Sequence, residues 1–186
     1  DADPAPMIFD RGAVEPGVDC GYVGEGEKAM LPGTIFQENI GSQPFMKVNR
    51  NGKRFVNEGL GSSLVNQEVM QQHMARAYLI LDEGVREIIR QTPFCNAAVI
   101  GGDRIDHMIE KGMTVVQADS IEELGAKIVA ETADGVSFNA ANMAATVAAY
   151  NEAAAAGTAE ALEVPHLGTV PATPLSTPPF YAIPVV

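Results

Sequence analysis

The sequence predicts an α+β fold, and three observations predict it. A short alternating hairpin spans Phe45 to Glu58, a uniformly apolar strand runs from Ala77 to Leu81, and helical periodicities recur from Ser62 onward. These pieces follow one another without regular βαβ alternation, so the expected object is a small mixed domain with several helices and no Rossmann unit. At 186 residues with 46% hydrophobic side chains, the chain suffices for one domain with its own core, read as a single unit over 1–186.

Residues 1–44 are rich in Gly and Pro and read as a loop-rich lead-in with short extended pieces. The hairpin follows. Phe45, Lys47 and Asn49 alternate with Met46 and Val48, Arg50-Asn51-Gly52 turns the chain, and Lys53 to Val56 returns. An Asn-Gly step between alternating runs signals a hairpin because both residues tolerate the positive φ of a tight turn. The returning strand carries Arg54, Asn57 and Glu58 around Phe55 and Val56, a density of polar groups that suggests side chains holding something in place.

Helix begins at Ser62, where Val65, Val69, Met70 and Met74 recur at four-residue spacing and make an apolar stripe with Leu64. Ala77 to Leu81 reads as a buried strand. Asp82 then offers an N-cap to a helix with Val85, Ile88 and Ile89 inward, stopped by Pro93. Ile105, Met108 and Ile109 make another short helix closed at Gly112, and Thr114 to Gln117 is an expected strand. Ser120-Ile121-Glu122-Glu123 fits a capping box, with Ile121, Leu124 and Ile128 on one face of the helix it opens. Asn139 caps the longest helix, in which Met143, Val147, Tyr150 and Ala154 face inward and Gly157 is the stop. The methionines at 70, 74, 108 and 143 are read as core. A Pro- and Thr-rich loop covers 164–179.

Composition narrows the function classes. A net charge of −12 and a pI near 4.5 exclude a basic nucleic-acid footprint. Residues 119–186 hold eight acids against Lys127 alone, read as a solvated acidic face. Cys20 and Cys95 form no metal spacing and no disulfide framework; buried free thiols are the favoured reading, a structural pair the alternative. No run approaches the roughly 20 apolar residues of a spanning helix, and the acidic N-terminus has no signal peptide. The chain stops in an apolar run, Pro178 to Val186, which reads as a cut from a larger protein.

Gly24-Glu25-Gly26-Glu27-Lys28-Ala29 matches the spacing of a dinucleotide fingerprint. Such a loop must open a helix whose N-terminus meets the pyrophosphate, whereas here Pro32 interrupts any helix and two glutamates repel phosphate. His73, His107 and His166 have no ligand partner at helical spacing, so no metal site is expected. Ser62 and Ser63 lack a nucleophile elbow. Around the hairpin two readings stay open. Arg54 and Glu58 either form a buried ion pair bracing the strand end or contact a ligand directly. Gln37-Glu38-Asn39 lies just upstream, and Glu38 either takes a hydrogen bond or proton from a substrate or is a solvated loop acid.

The segment Lys47 to Glu58 resembles the "VN-x-x-G-x-RF-x-NE" stretch of the FAD-dependent fumarate reductase and succinate dehydrogenase flavoprotein family, whose relatives include urocanate reductases and ketosteroid dehydrogenases. Three further segments resemble family elements in the same order. They are Ala77 to Asp82 ("AYLIFD"), Ser120 to Ile128 followed by Thr146 to Asn151 ("S-x-EELA…TV-x-x-YN"), and Pro178 to Ala182 ("PPFYA"). The resemblance implies a capping, or clamp, domain that covers a substrate over a flavin ring. FAD would then be bound mainly by a separate domain of the same parent chain, with none expected on this fragment.

The family's upstream Thr-Glu pair falls on Gln37 and Glu38, which the resemblance makes substrate-binding residues. Its proton-donating arginine falls on Ser62, and another arginine on Gly41; no arginine lies between Arg54 and Arg76. Losing two charge-assisted contacts to a dicarboxylate, each typically worth about 1.5–3 kcal/mol, points to a substrate less acidic than fumarate. The implied activity of the parent is hydride transfer between FAD and an activated C=C or related bond, with the isolated chain inactive. Arg54, Asn57 and Glu58 would hold the hairpin at the site. The expected partners are a small-molecule substrate and the FAD-binding domain, with no nucleic acid and no membrane segment. The alternatives are a non-catalytic small-molecule binding module and a true fumarate reductase with a shifted alignment.

Overall fold

The computed structural model describes residues 20–22, 28–30, 45–59, 62–91, 103–110, 112–132, 134, 137–168 and 171–185. They form a six-stranded sheet with helices packed on it, and the class is α+β. The strands are β1 (Cys20–Tyr22), β2 (Lys28–Met30), β3 (Met46–Asn49), β4 (Ala77–Asp82), β5 (Val116–Ala118) and β6 (Phe180–Val185). The helices are α1 (Ser62–Gln71), α2 (Glu83–Gln91), α3 (Arg104–Glu110), α4 (Ile121–Glu131) and α5 (Ala140–Ala156).

The sheet runs β1-β2-β6-β4-β3, with β5 also on β6. β6 pairs antiparallel with all of β4, from Ala77↔Val185 to Asp82↔Phe180. Its other side takes β5 antiparallel along Phe180 to Ala182 and meets β2 in parallel at Met30↔Val185. Every residue of β4 and β6 is buried, which is why AYLILD reads as an apolar run instead of an alternation. Asp82 closes β4 without leaving a buried carboxylate unmatched. Its Oδ1 accepts from Val85 N–H at 2.8 Å as the cap of α2, and Oδ2 accepts from Ser176 and Thr177 N–H at 2.7 and 2.8 Å. The peptide bond Pro178–Pro179 just before β6 is cis.

Helix α4 packs on β5 and β6, and α5 packs on α4. Ser120 accepts from Glu123 N–H as the cap of α4, and Glu123 reaches back to Asp119 N–H. Leu124 and Ile128 are buried, with Ile121 packed against them. Asn139 caps α5, and Met143, Val147 and Tyr150 form its buried stripe before Gly157, at φ 68°, ends it. Gly125 sits at the crossing: a Cβ there would lie 2.8 Å from Ala140 Cβ. Outside the sheet, Arg86 ties α2 to α3 and β6 through Asp103 (2.9 Å), Asp106 (2.8 Å) and the Tyr181 hydroxyl (2.6 Å).

Several local expectations are corrected. Arg50-Asn51-Gly52 does turn the chain, but the return is a single bridge, Val48↔Arg54, and β3 takes its full partner from β4. Of the Asn-Gly step only Gly52, at φ 70°, uses the left-handed region; Gly52 N–H donates to Asn49 O and Asn49 N–H to Lys53 O, closing the three-residue loop Arg50-Asn51-Gly52. Met108 and Met143 are core, whereas Met70 and Met74 are 55% and 68% exposed, as are Leu64, Ile88 and Ile109 in lesser degree. Four-residue spacing placed Val65 and Val69 correctly, but α1 is covered on one narrow side. The expected strand at 114–117 lies at Val116–Ala118. The 1–44 segment contributes β1 and β2.

Candidate functional site

The polar hairpin residues converge on Glu58. Its side chain is wholly buried, and its two oxygens meet four nitrogens from three residues. Oε1 accepts from Arg54 Nε at 3.0 Å and from the Lys47 backbone N–H at 3.1 Å. Oε2 accepts from Arg54 Nη2 at 2.5 Å and faces His166 Nδ1 at 3.4 Å. The same guanidinium donates to the Val164 carbonyl and lies over the Tyr150 ring, 5.2 Å from its centroid. Asn57 completes the attachment, its Oδ1 accepting from Gly59 and Leu167 N–H at 3.0 and 2.9 Å. The hairpin end is therefore laced to the segment around 164–167, which crosses over it. Beside Arg54, α5 and this segment leave an open hollow of about 190 Å³ lined by Lys53, Thr146, Tyr150 and Glu163 among others.

The charges in this knot are set by burial and by each other. Burial alone raises the Glu58 carboxyl, but the His166 and Arg54 hydrogen bonds and the Arg54 and Lys47 charges outweigh it and hold it at about 2. Burial pushes the Lys47 amine down to about 7, against the pull of Glu58. Burial and the Glu58 charge push the Tyr150 hydroxyl up to about 12. Such an arrangement fixes geometry; its carboxylate is saturated with donors and is a poor proton acceptor.

A second cluster gathers at the hairpin tip, around Asp134. Its Oδ1 lies 2.6 Å from Arg50 Nε and its Oδ2 2.5 Å from Arg76 Nε, and Oδ2 also accepts from the Tyr78 hydroxyl. Tyr78 in turn takes a hydrogen bond from Arg76 Nη2 at 3.1 Å and meets Thr132 Oγ1 at 2.9 Å. Burial raises the Tyr78 hydroxyl further above its ordinary value, and Asp134 adds to it.

Of the residues singled out in the sequence, Arg54, Asn57 and Glu58 are brought together. Ser62 is the first residue of α1. Gln37, Glu38, Gly41 and Cys95 lie outside the described residues. Ala29 of the glycine run falls in strand β2 and not in a helix. Lys47, Arg50, His166 and Asp134 were missed, because their partners are 11 to 108 positions away in sequence. The one available signal was Lys47, a cation inside a run that is otherwise apolar.

The family model described as FAD binding domain matches residues 23–186. Among solved structures, the chain is similar to a flavocytochrome c3 fumarate reductase in its open conformation, at 17% identity and TM-score 0.55 over 75% of this chain and 20% of that one. It is similar to the 3-ketosteroid delta1-dehydrogenase of Sterolibacterium denitrificans, at 22% identity and TM-score 0.56 over 89% of this chain and 30% of that one. It also matches the solution structure of a fumarate reductase flavoprotein subunit from Lactobacillus plantarum, at 19% identity and TM-score 0.54 over 92% of this chain and 93% of that one. The chain thus spans less than a third of the first two structures.

The glycine run that matches a dinucleotide fingerprint ends in strand β2, and its two glycines lie outside the described residues. The family match covers nearly the whole sequence, and the chain belongs to the FAD binding domain family.

Proposed function

We propose that this chain is the substrate-capping domain of a flavin-dependent oxidoreductase, which moves a hydride between FAD and an activated C=C or related bond in a substrate less acidic than fumarate. The observation that carries this reading is one of coverage. The fold recurs over most of this chain but only 20–30% of a fumarate reductase and a ketosteroid dehydrogenase, as part of longer chains. FAD would be held by a separate domain of the parent protein. The cap would exclude water from the covered substrate, with its motion gating access. Gln37 and Glu38 would line the pocket, Ser62 would stand near the reacting carbon, and Arg54, Asn57 and Glu58 would keep the hairpin rigid.

The test compares this chain with the complete reading frame. The chain alone is expected to purify colourless and inactive, and the complete protein yellow and able to reduce an enone in preference to fumarate. A yellow, active 186-residue chain would overturn the proposal. A second reading is a non-catalytic binding module. A complete reading frame that holds no flavin would select it. Fumarate turnover abolished by Glu38→Gln in the complete protein would instead select a true fumarate reductase.

A further inference from the structure

We propose that Asn51 is a site of spontaneous covalent modification, in which its side chain cyclises onto the Gly52 nitrogen, and that docking of the hairpin turn on α5 holds this reaction in check. Asn51 is the one asparagine of the sequence followed by glycine, whose missing side chain leaves the backbone nitrogen open to approach. In the step itself the Gly52 nitrogen attacks Asn51 Cγ. The N–Cγ bond forms, the Cγ–Nδ2 bond breaks, and Nδ2 leaves as ammonia with the proton that Gly52 gives up. Water then opens the succinimide ring at either carbonyl, giving aspartate or iso-aspartate, with no change of oxidation state.

The structure treats the two reacting groups differently. Asn51 is exposed, and its hydrogen bonds among the described residues run through its backbone: its N–H donates to Asn49 Oδ1 at 3.0 Å and its carbonyl accepts from Asn142 Nδ2 at 3.0 Å. The side-chain amide is therefore available. The nucleophile is not. Gly52 is buried, its N–H donates to Asn49 O at 2.8 Å, and its carbonyl accepts from Thr146 Oγ1 at 2.7 Å. Its Cα lies so close to α5 that a Cβ would stand 2.4 Å from Asn139 O and Met143 N.

Ring closure requires the Gly52 nitrogen to turn from Asn49 O toward Asn51 Cγ. That rotation swings the Asn51 carbonyl away from Asn142 and shifts the Gly52 carbonyl held by Thr146, so the reaction proceeds from a turn that has left α5. The product cannot return. Iso-aspartate carries the chain through Cβ and Cγ, which lengthens a three-residue loop whose glycine has no room to move against α5. A transient opening of the tip is thereby converted into a permanent one.

The experiment incubates the 186-residue chain in mildly alkaline buffer, with and without urea, and follows the fragment containing Asn51 by mass and by separation of aspartate from iso-aspartate. The unfolded chain is expected to react more than about tenfold faster than the native one. Asn142→Ala and Thr146→Val each remove one docking hydrogen bond and should speed the native reaction about fivefold. In urea both should match the unsubstituted chain, and Asn51→Gln should abolish the product. The purified iso-aspartate form should lose amide-exchange protection at Ala140 to Met143. Equal rates with and without urea, native rates unchanged in both docking variants, no product at Asn51 in urea, or full protection of that turn in the iso-aspartate form would overturn the proposal.

Discussion

Arg54 and Glu58 meet through two side-by-side hydrogen bonds, Nε to Oε1 and Nη2 to Oε2, four residues apart on a stretch that is not helical. Both side chains are almost fully buried, so removing one strands the other's charge. Arg54→Met is expected to destabilise the domain by about 3–5 kcal/mol in urea unfolding. The acid limb follows from Glu58. Its folded-state value of about 2 lies below the ordinary 4.5, so its stabilising share is complete above that ordinary value and is lost as pH falls through about 2. Glu58→Gln should flatten this limb in unfolding midpoints measured between about pH 5 and pH 2.

Lys47 acts in the opposite pH range. With its folded-state value at about 7 against an ordinary 10.5, the unfolded chain holds a proton that the folded chain lacks between those limits. Stability should therefore rise through that window by about 1.4 kcal/mol per pH unit, and Lys47→Met should abolish the rise. Above about pH 10 the trend reverses, since the folded state keeps the Tyr150 proton up to about 12. Urea unfolding at a series of alkaline pH values checks both statements.

Gly52 tolerates no side chain. A Cβ there would lie 2.4 Å from both Asn139 O and Met143 N, backbone atoms at the start of α5, and the residue needs φ 70° besides. Gly52→Ala is expected to cost at least about 2 kcal/mol and to weaken amide-exchange protection first in the opening turn of α5.

Asp134 serves two arginines and a tyrosine hydroxyl. Asp134→Asn removes the carboxylate that two guanidiniums share, and a loss of about 3–5 kcal/mol is expected. Tyr78→Phe removes no charge, only the hydroxyl that meets Asp134, Arg76 and Thr132, and should cost about 1–3 kcal/mol, so comparing the two variants separates loss of the carboxylate from loss of the hydroxyl.

What the sequence made legible was local. The caps at Asp82, Ser120 and Asn139, the stop at Gly157, and the buried stripe Met143-Val147-Tyr150 each depend on residues within about two turns, and all are where the pattern put them. The hairpin turn was legible for the same reason, yet its second strand was not, because pairing with β4 is decided by residues 28 to 34 positions on. Met70 and Met74 were misjudged since apolar spacing reports a helix face without saying what covers it. The two charge clusters escaped for a topological reason. Asp134 answers to Arg50 and Arg76, and His166 to Glu58, across separations that no spacing rule reaches.

The last strand in sequence occupies the middle of the sheet. β6 is the only described strand with three partners, β2, β4 and β5, so no pair that it makes can form until residues 180–185 have been synthesised. During translation β4 waits with one edge bare, all six of its residues destined for burial, in a shape that recruits strands from other molecules. A ribosome that stalls before Phe180 would release an aggregation seed. A truncation ending at Thr177 should accordingly appear in the insoluble fraction, and a peptide of residues 178–186 supplied in trans should recover part of it as soluble protein.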